Sequence, residues 1–240
     1  MTKHRLDHLL VQKQLVPTRS QAESYIRLGQ VKVNGKKITK PGYFVAEEAK
    51  IEFGAKEQYV SRAALKLASV AQTLGLEFRG KTILDVGSST GGFTDYALQH
   101  GATRSFAVDV GTNQLHSKLR EDPRVEVHEK TDIRDFISDE KADIAAIDVS
   151  FISMRQVLPS VANLITEGGI IVAMLKPQFE AGKSQLNKGI VKNNALRRQI
   201  IQDFEAWVKQ NGFVLLKKSD SAVAGEKGNL ERFYLLKVLQ

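Results

Sequence analysis

Four side chains of this 240-residue chain stand where a hydroxyl could be positioned and relieved of its proton: Lys66, Asp148, Lys176 and Glu231. Asp148 closes the apolar run Asp143-Ile-Ala-Ala-Ile-Asp148. Lys176 closes Gly169-Ile-Ile-Val-Ala-Met-Leu175, just ahead of Pro177. Short apolar runs of this kind read as buried strands. In open, mostly parallel sheets the carboxyl ends of the strands meet at one crevice, so Asp148 and Lys176 are expected to be neighbours. Lys66 lies on a predicted helix before the first strand, and Glu231 directly precedes the last, Arg232 to Val238. Burial or a second lysine lowers the pKa of a lysine at a strand mouth, and a nearby carboxylate raises it. Such a group can position a weakly acidic hydroxyl or accept its proton. The plainer alternatives are an exposed helix lysine for Lys66, a strand-edge charge for Glu231, and ordinary loop residues for Asp148 and Lys176.

The other strand ends carry a second pattern. The run Thr82-Ile-Leu-Asp85-Val-Gly87 leads into Ser88-Ser89-Thr90-Gly91-Gly92, and a helix begins at Phe93. The next strand, Ser105-Phe-Ala-Val-Asp109, ends in an acid, and Asp132 follows the short strand Val125 to His128. The loop is no phosphate loop, since Gly-Lys-Ser/Thr is missing. Its Gly-x-x-x-Gly-Gly spacing is also not the dinucleotide Gly-x-Gly-x-x-Gly. Glycines let a ligand approach the backbone closely, and an acid about 20 residues further on suits ribose hydroxyls. Together these features fit S-adenosylmethionine. For Asp109 and Asp132, helix capping or loop solvation is the competing explanation.

The elements that must place these residues alternate strand and helix from residue 59 on, with a helix near 153–165 and a long amphipathic one over Asn194 to Gln210. That helix is expected to bury Leu196, Ile200, Ile201, Phe204 and Val208. A strand over Phe213 to Lys218 follows. The alternation predicts an α/β fold of the Rossmann-like kind, a mostly parallel seven-stranded sheet covered on both faces. A hydrophobic content of 42% supports an ordinary core, and the absence of cysteine excludes disulfide frameworks and thiolate metal sites. Only His4 and His8 share helical spacing, without a zinc-protease Glu between them, so no metal is expected. The start MTKHRLDHLL carries no signal-like apolar segment, and the longest apolar run, Ile170 to Leu175, is far too short to span a membrane. A cytoplasmic protein is the expectation.

Charge separates the chain in two. Residues 1–40 hold nine Lys/Arg against Asp7 and Glu23, a net of +7 out of +8 for the whole chain. The same stretch predicts two helices: one over 5–15, with Leu6, Leu9 and Leu10 on one face, and one starting at Thr18, with Gln21 at capping-box spacing. A hairpin turning at Asn34-Gly35 and short strands within 43–53 complete a small sheet. Arg5, Arg19, Arg27, Lys32, Lys36, Lys37 and Lys40 have few acids among them, which points to a polyanion-binding surface. Gly54 to Gln58 is polar and aperiodic. The expected organisation is a basic module over 1–55, a linker over 56–60 and an α/β domain over 61–240.

Two resemblances follow. Arg5-Leu6-Asp7, Thr18-Arg19-Ser20-Gln21-Ala22 and Gly29-Gln30-Val31-Lys32-Val33-Asn34-Gly35 resemble the RNA-binding domain named after small-subunit ribosomal protein S-four. It implies recognition of structured RNA by backbone and shape. The order Lys66, Asp148, Lys176, Glu231 resembles the tetrad of FtsJ-type ribose 2′-O-methyltransferases. Val60-Ser61-Arg62, Asp85 to Asp95, Val108-Asp109-Val110-Gly111, Asp148 to Ser153 and Leu175-Lys176-Pro177-Gln178-Phe179-Glu180 are similar to the TlyA family, catalogued both as hemolysins and as ribosomal RNA 2′-O-methyltransferases. Ala63-Ala64 and Thr112-Asn113 depart from its pattern, which bears on RNA or cofactor contacts. The resemblance implies that Lys176 is the base or holds the 2′-oxygen, that Asp148 and Lys66 orient it, and that Glu231 completes the network. Gly87, Ser88, Thr90, Gly91, Gly92 and Phe93, with Asp85 beneath, would hold the methionine end of S-adenosylmethionine. Asp109 and Val110 would hold its ribose, and Asp132 and Ile133 its adenine. Ribosomal RNA or ribosomal subunits are the implied partners, with no membrane. The rivals are a non-catalytic RNA-binding ribosome factor, against which the intact tetrad and loop count, and a membrane-lytic hemolysin, for which no amphipathic stretch is apolar enough.

Overall fold

A computed structural model describes residues 3–55, 58–182, 191, 193–223, 225 and 229–239; the expected linker residues Lys56 and Glu57 lie outside them. The N-terminal part runs β1 (Lys3–Arg5), α1 (Leu6–Gln12), α2 (Arg19–Arg27), β2 (Val31–Val33), β3 (Lys36–Lys37), β4 (Phe44–Ala46) and β5 (Ile51–Phe53). There are two small sheets here, where one was expected: β1 pairs with β4, and β3-β2-β5 form a second. Lys3-His4-Arg5 has no apolar alternation, so periodicity could not announce β1. α1 stops at Gln12, short of the expected residue 15, because Gln14 takes a φ of +57°. Asn34 and Gly35 have φ of +49° and +76° and join Val33 to its partner Lys36, as a type I′ turn requires.

Thr18 caps α2, its hydroxyl oxygen accepting from the Gln21 N–H at 3.2 Å. The Gln21 side chain does not close a capping box. Its Oε1 accepts from the Thr18 hydroxyl, and its Nε2 donates to the carbonyl of Tyr59 at 3.0 Å. Asp7 is fully buried and takes Arg5 Nη2 at 2.7 Å and Arg19 Nε at 3.1 Å. These two guanidinium groups hold the Asp7 carboxyl down at about 2 against the opposing pull of burial. Two of the seven cations expected to grip RNA are thus occupied with folding the module. Glu47, Glu48 and Glu52, against Lys50 alone, also trim the charge of residues 1–55 below that of 1–40.

The remainder runs α3 (Arg62–Leu74), β6 (Thr82–Val86), α4 (Gly92–Gln99), β7 (Arg104–Val108), α5 (Ser117–Arg120), β8 (Val125–His128), β9 (Ala142–Ile147), α6 (Met154–Asn163), β10 (Ile165–Leu175), α7 (Pro177–Glu180), α8 (Asn194–Gln210), β11 (Phe213–Asp220) and β12 (Arg232–Val238). The sheet order is β11-β12-β10-β9-β6-β7-β8, with β12 alone reversed. Strand residues alternate between two apolar layers. Ile83, Ala107, Ile144 and Val172 face α3 and α4. Leu84, Phe106, Ala145 and Ile171 face α6 and α8. On α8, Ile200, Ile201, Phe204 and Val208 are buried as expected, and Leu196 is half-buried.

The α3/α4 layer is continuous with the core of the N-terminal part, so Leu6, Ala22 and Tyr25 belong to the same cluster as Leu67 and Tyr96. Tyr59 is buried at the junction with its ring 5.6 Å from Tyr96, and the Val60 N–H donates to Asp95 Oδ2 at 2.8 Å.

Candidate active site

The chain runs from β6 out to β8 and then returns to lay β9 on the other side of β6. That reversal opens a crevice at the carboxyl ends of β6 and β9. A cavity of about 590 Å³ occupies it, lined by Gly87, Ser89, Asp109, Asp132, Asp148 and Phe151 among others. Gly87, at φ +78°, brings the loop against β9: a Cβ there would lie 2.7 Å from the carbonyl oxygen of Asp148. Gly92 does the same for α3, since a Cβ would lie 2.8 Å from Ala64 N, so α4 begins where the Lys66 helix touches it.

Asp109 ties two loops together, accepting from Ser89 N at 2.8 Å and Gly111 N at 2.6 Å. Each of its oxygens keeps a lone pair for a further donor. Asp132 is forked by Arg134 at 2.6 and 2.9 Å, which lowers its pKa. Val110 and Ile133 lie on the same wall. Ser88, Thr90, Gly91 and Gly92 form the turn behind Gly87 without lining the cavity. The Phe93 side chain is buried 6.1 Å from Phe233, where it packs the loop down.

Asp85 sits beneath this loop, buried, with both Thr94 N (2.9 Å) and Thr94 Oγ1 (2.7 Å) on its Oδ2. Burial pushes its carboxyl up to about 7; the Thr94 bonds oppose this, and the charges of Asp148 and Asp109 add to it. A carboxyl raised on folding stabilises the fold below its unfolded value near 3.8 and loses that contribution as pH rises toward 7. Asp85→Asn keeps a carbonyl acceptor for Thr94. It is expected to remove this part of the decline in stability between pH 4 and 7 in denaturant titrations; a wild-type slope would refute it.

The four candidate catalytic residues form two pairs across one strand junction. Lys176 Nζ lies 2.5 Å from Asp148 Oδ1 and donates to Ser150 Oγ at 2.9 Å. Lys66 Nζ lies 2.6 Å from Glu231 Oε2, with side chains only 8% and 3% exposed. The last paired residues of β10 and β12 are Leu175 and Arg232, so one further step sets Lys176 opposite Glu231. Lys66 therefore answers to Glu231 and Asp148 holds Lys176; among the described residues no direct link joins Lys66 to Lys176. Ser150 and Phe151 were not singled out from the sequence. Their place right after Asp148 signalled the location, but nothing signalled the φ of +66° at Phe151 or its 92% exposure.

A seven-stranded sheet with one reversed strand, a glycine-rich turn after its central strand and acids at successive strand ends define a Rossmann-like methyltransferase fold. Comparison with known proteins agrees. Residues 59–238 match the FtsJ-like methyltransferase family and residues 4–51 the S4 domain. The 16S/23S rRNA (cytidine-2′-O)-methyltransferase TlyA of Mycobacterium tuberculosis is 34% identical over 239 residues, 97% of this chain and 89% of the relative. Hemolysin A of Brachyspira hyodysenteriae is 36% identical over 232 residues, 95% and 97% of the two chains. A solved hemolysin-named structure from Streptococcus thermophilus superposes with a TM-score of 0.74 at 37% identity, covering 100% of this chain and 90% of the other. The chain belongs to the TlyA family of FtsJ-like methyltransferases.

Proposed function

We propose that this protein transfers a methyl group from S-adenosylmethionine to a ribose 2′-hydroxyl of ribosomal RNA, in the cytoplasm, and that the N-terminal module docks the RNA. One observation carries the reading: at the mouth of the crevice, Lys176 Nζ is held at once by Asp148 and Ser150. A lysine ammonium has three N–H donors. One is given to Ser150 while the charge faces Asp148, so the ammonium is fixed in place and still has a donor for the 2′-oxygen. The TlyA relative named for cytidine 2′-O-methylation supports the same chemistry.

The cavity suits the cofactor. Its lining carries Asp109, Asp132 and Asp148 and, among the described residues, Arg134 as its one Lys or Arg, already bound to Asp132. That charge balance welcomes a sulfonium cation and repels the phosphates of a dinucleotide. Asp109 would hold the ribose hydroxyls, with Val110 beside it. Asp132 and Ile133 would flank the adenine, and the turn from Gly87 to Gly92, seated on Asp85 and Phe93, would hold the methionine end. When bound, S-adenosylmethionine supplies an electrophilic methyl whose sulfur leaves with the bonding electron pair as a neutral thioether.

The chain's own work is placement. Lys176 fixes the 2′-oxygen and stabilises the negative charge that grows on it as its proton passes to water at the crevice, the methyl joining the oxygen as its bond to sulfur breaks. Asp148 and Ser150 fix Lys176. The Lys66–Glu231 pair, nearly sealed from solvent, braces α3 against β12. Phe151, exposed beside Lys176, offers a face on which a base can stack. Among the described residues no helix is long and apolar enough to cross a membrane, and the hemolysin names of relatives bring no lytic mechanism to this site.

The test is mass mapping of 2′-O-methyl groups on ribosomal RNA from cells with and without the protein, joined to methyl transfer in vitro. A methylated ribose that disappears with the gene and returns on incubation with protein and S-adenosylmethionine is expected. An unchanged map would defeat the proposal.

A further inference from the structure

We propose that Glu180 is a positioning residue that clamps the loop carrying Asp148, Ser150 and Phe151 to the short helix behind Lys176, and so sets the wall against which the target nucleotide is held. The inference rests on the methyl-transfer reading of the site. Glu180 is the last residue of α7, and its side chain is 2% exposed. Its Oε2 accepts from the Ser153 hydroxyl at 2.7 Å and its Oε1 from the Met154 N–H at 2.6 Å; Arg155 Nε lies 3.9 Å away. A buried carboxylate is costly unless its oxygens are bonded, and charge-assisted bonds of this length are among the stronger ones.

Capping alone does not account for it. α6 already has a cap from its own sequence, since Ser153 Oγ accepts from the Arg155 N–H. Glu180 adds a cross-link between two segments that are 27 residues apart at Ser153. The same two segments meet at Lys176–Asp148, at Lys176–Ser150, and at Phe151–Phe179, whose rings lie 5.1 Å apart. Of these links, the one at Glu180 is the least exposed. The loop it holds carries a cost: Phe151 sits at φ +66°, in the left-handed region that non-glycine residues rarely adopt and that persists only when the surroundings impose it. Without Glu180 the loop is free to relax, taking with it the serine and carboxylate that hold Lys176.

Full-length Glu180→Ala, Glu180→Gln and Ser153→Ala proteins test this with ribosomal RNA as substrate. Glu180→Ala is expected to lose about 10²-fold in kcat, the cost of misplacing reacting groups by about 1 Å. Its affinity for S-adenosylmethionine should fall much less than kcat, because Asp148 and Phe151 line the cavity but Asp109 and the Gly87 turn are held by other bonds. Amide exchange across residues 149–154 should quicken. Glu180→Gln offers the Met154 N–H only a weaker, neutral acceptor, so its kcat should fall by about three- to tenfold with modestly faster exchange at Met154, and Ser153→Ala should behave similarly. A folded Glu180→Ala protein with wild-type kcat overturns the proposal. So does one whose cofactor affinity falls in step with kcat, or whose exchange over 149–154 is unchanged. Should Glu180→Ala fail to fold, Glu180→Gln decides: faster exchange at Met154 with lowered kcat supports the clamp, and wild-type values of both refute it. Exchange needs no RNA, so a wild-type protein that transfers no methyl would defeat the functional reading while the clamp was still decided on its own.

Discussion

Methyl transfer by a Lys176→Ala protein is expected to fall by about 10³-fold, in the range that a positioned proton-handling or charge-stabilising group supplies. Its cofactor affinity should stay near wild type, because Lys176 does not line the cavity. The substitution removes the one ammonium shared by Asp148 and Ser150. It leaves Asp148 on the cavity wall, 14% exposed against 3% for Glu231, so the fold is expected to survive. Lys66→Ala is a different experiment. It strands Glu231, 3% exposed, without its partner 2.6 Å away. An unpaired buried charge costs about 3–5 kcal/mol, so stability as well as rate should drop. Tritium transfer to ribosomal subunits and thermal melting, measured side by side, separate the two. Lys176→Ala protein that still methylates at wild-type rate would remove Lys176 from the mechanism.

The second large effect concerns salt. Lys32, Lys36, Lys37 and Lys40 are exposed and, among the described residues, have no ion-pair partner. Lys32 and Lys37 stand directly opposite each other across the hairpin. Like charges in that arrangement destabilise a sheet, which suits a surface shaped for a polyanion. Replacing all four by alanine is expected to weaken RNA binding by about 10²-fold at moderate salt and to lower the slope of log affinity against log salt by about 3, at roughly 0.7–0.9 per phosphate contact. Cofactor binding should be untouched. A variant with the wild-type salt slope would place the RNA elsewhere. Point substitutions are the right tool, because deleting residues 1–55 would strip a layer from the core that α3 shares with Leu6, Ala22 and Tyr25. Arg5 and Arg19 are left out of the set because their replacement would expose Asp7 to burial without a partner.

The strand ends were legible because chain order and apolar runs fix which residues reach the crevice: Asp85, Asp109, Asp148 and Lys176 needed only the alternation of strand and helix to be brought near one another. Partner choice within the site was not legible. Whether Lys66 answers to Asp148 or to Glu231 depends on β12 running antiparallel beside β10, a fact of tertiary pairing that no local pattern carries. Arg5 and Arg19 misled for a related reason. Counting acids around them suggested free cations, but Asp7, two residues on from Arg5 at the end of β1, is turned inward and takes both. Gln21 had the spacing of a capping box and spends its amide on Tyr59 instead, because the second part of the molecule lies within reach of α2.

The pairing of Lys66 with Glu231 also has a consequence in time. α3 is synthesised more than 150 residues before Glu231, which directly precedes β12. Until that strand inserts between β10 and β11, Lys66 has no counter-charge and Lys176 no neighbour across the sheet. Any chemistry that depends on these two lysines therefore waits on the insertion of β12.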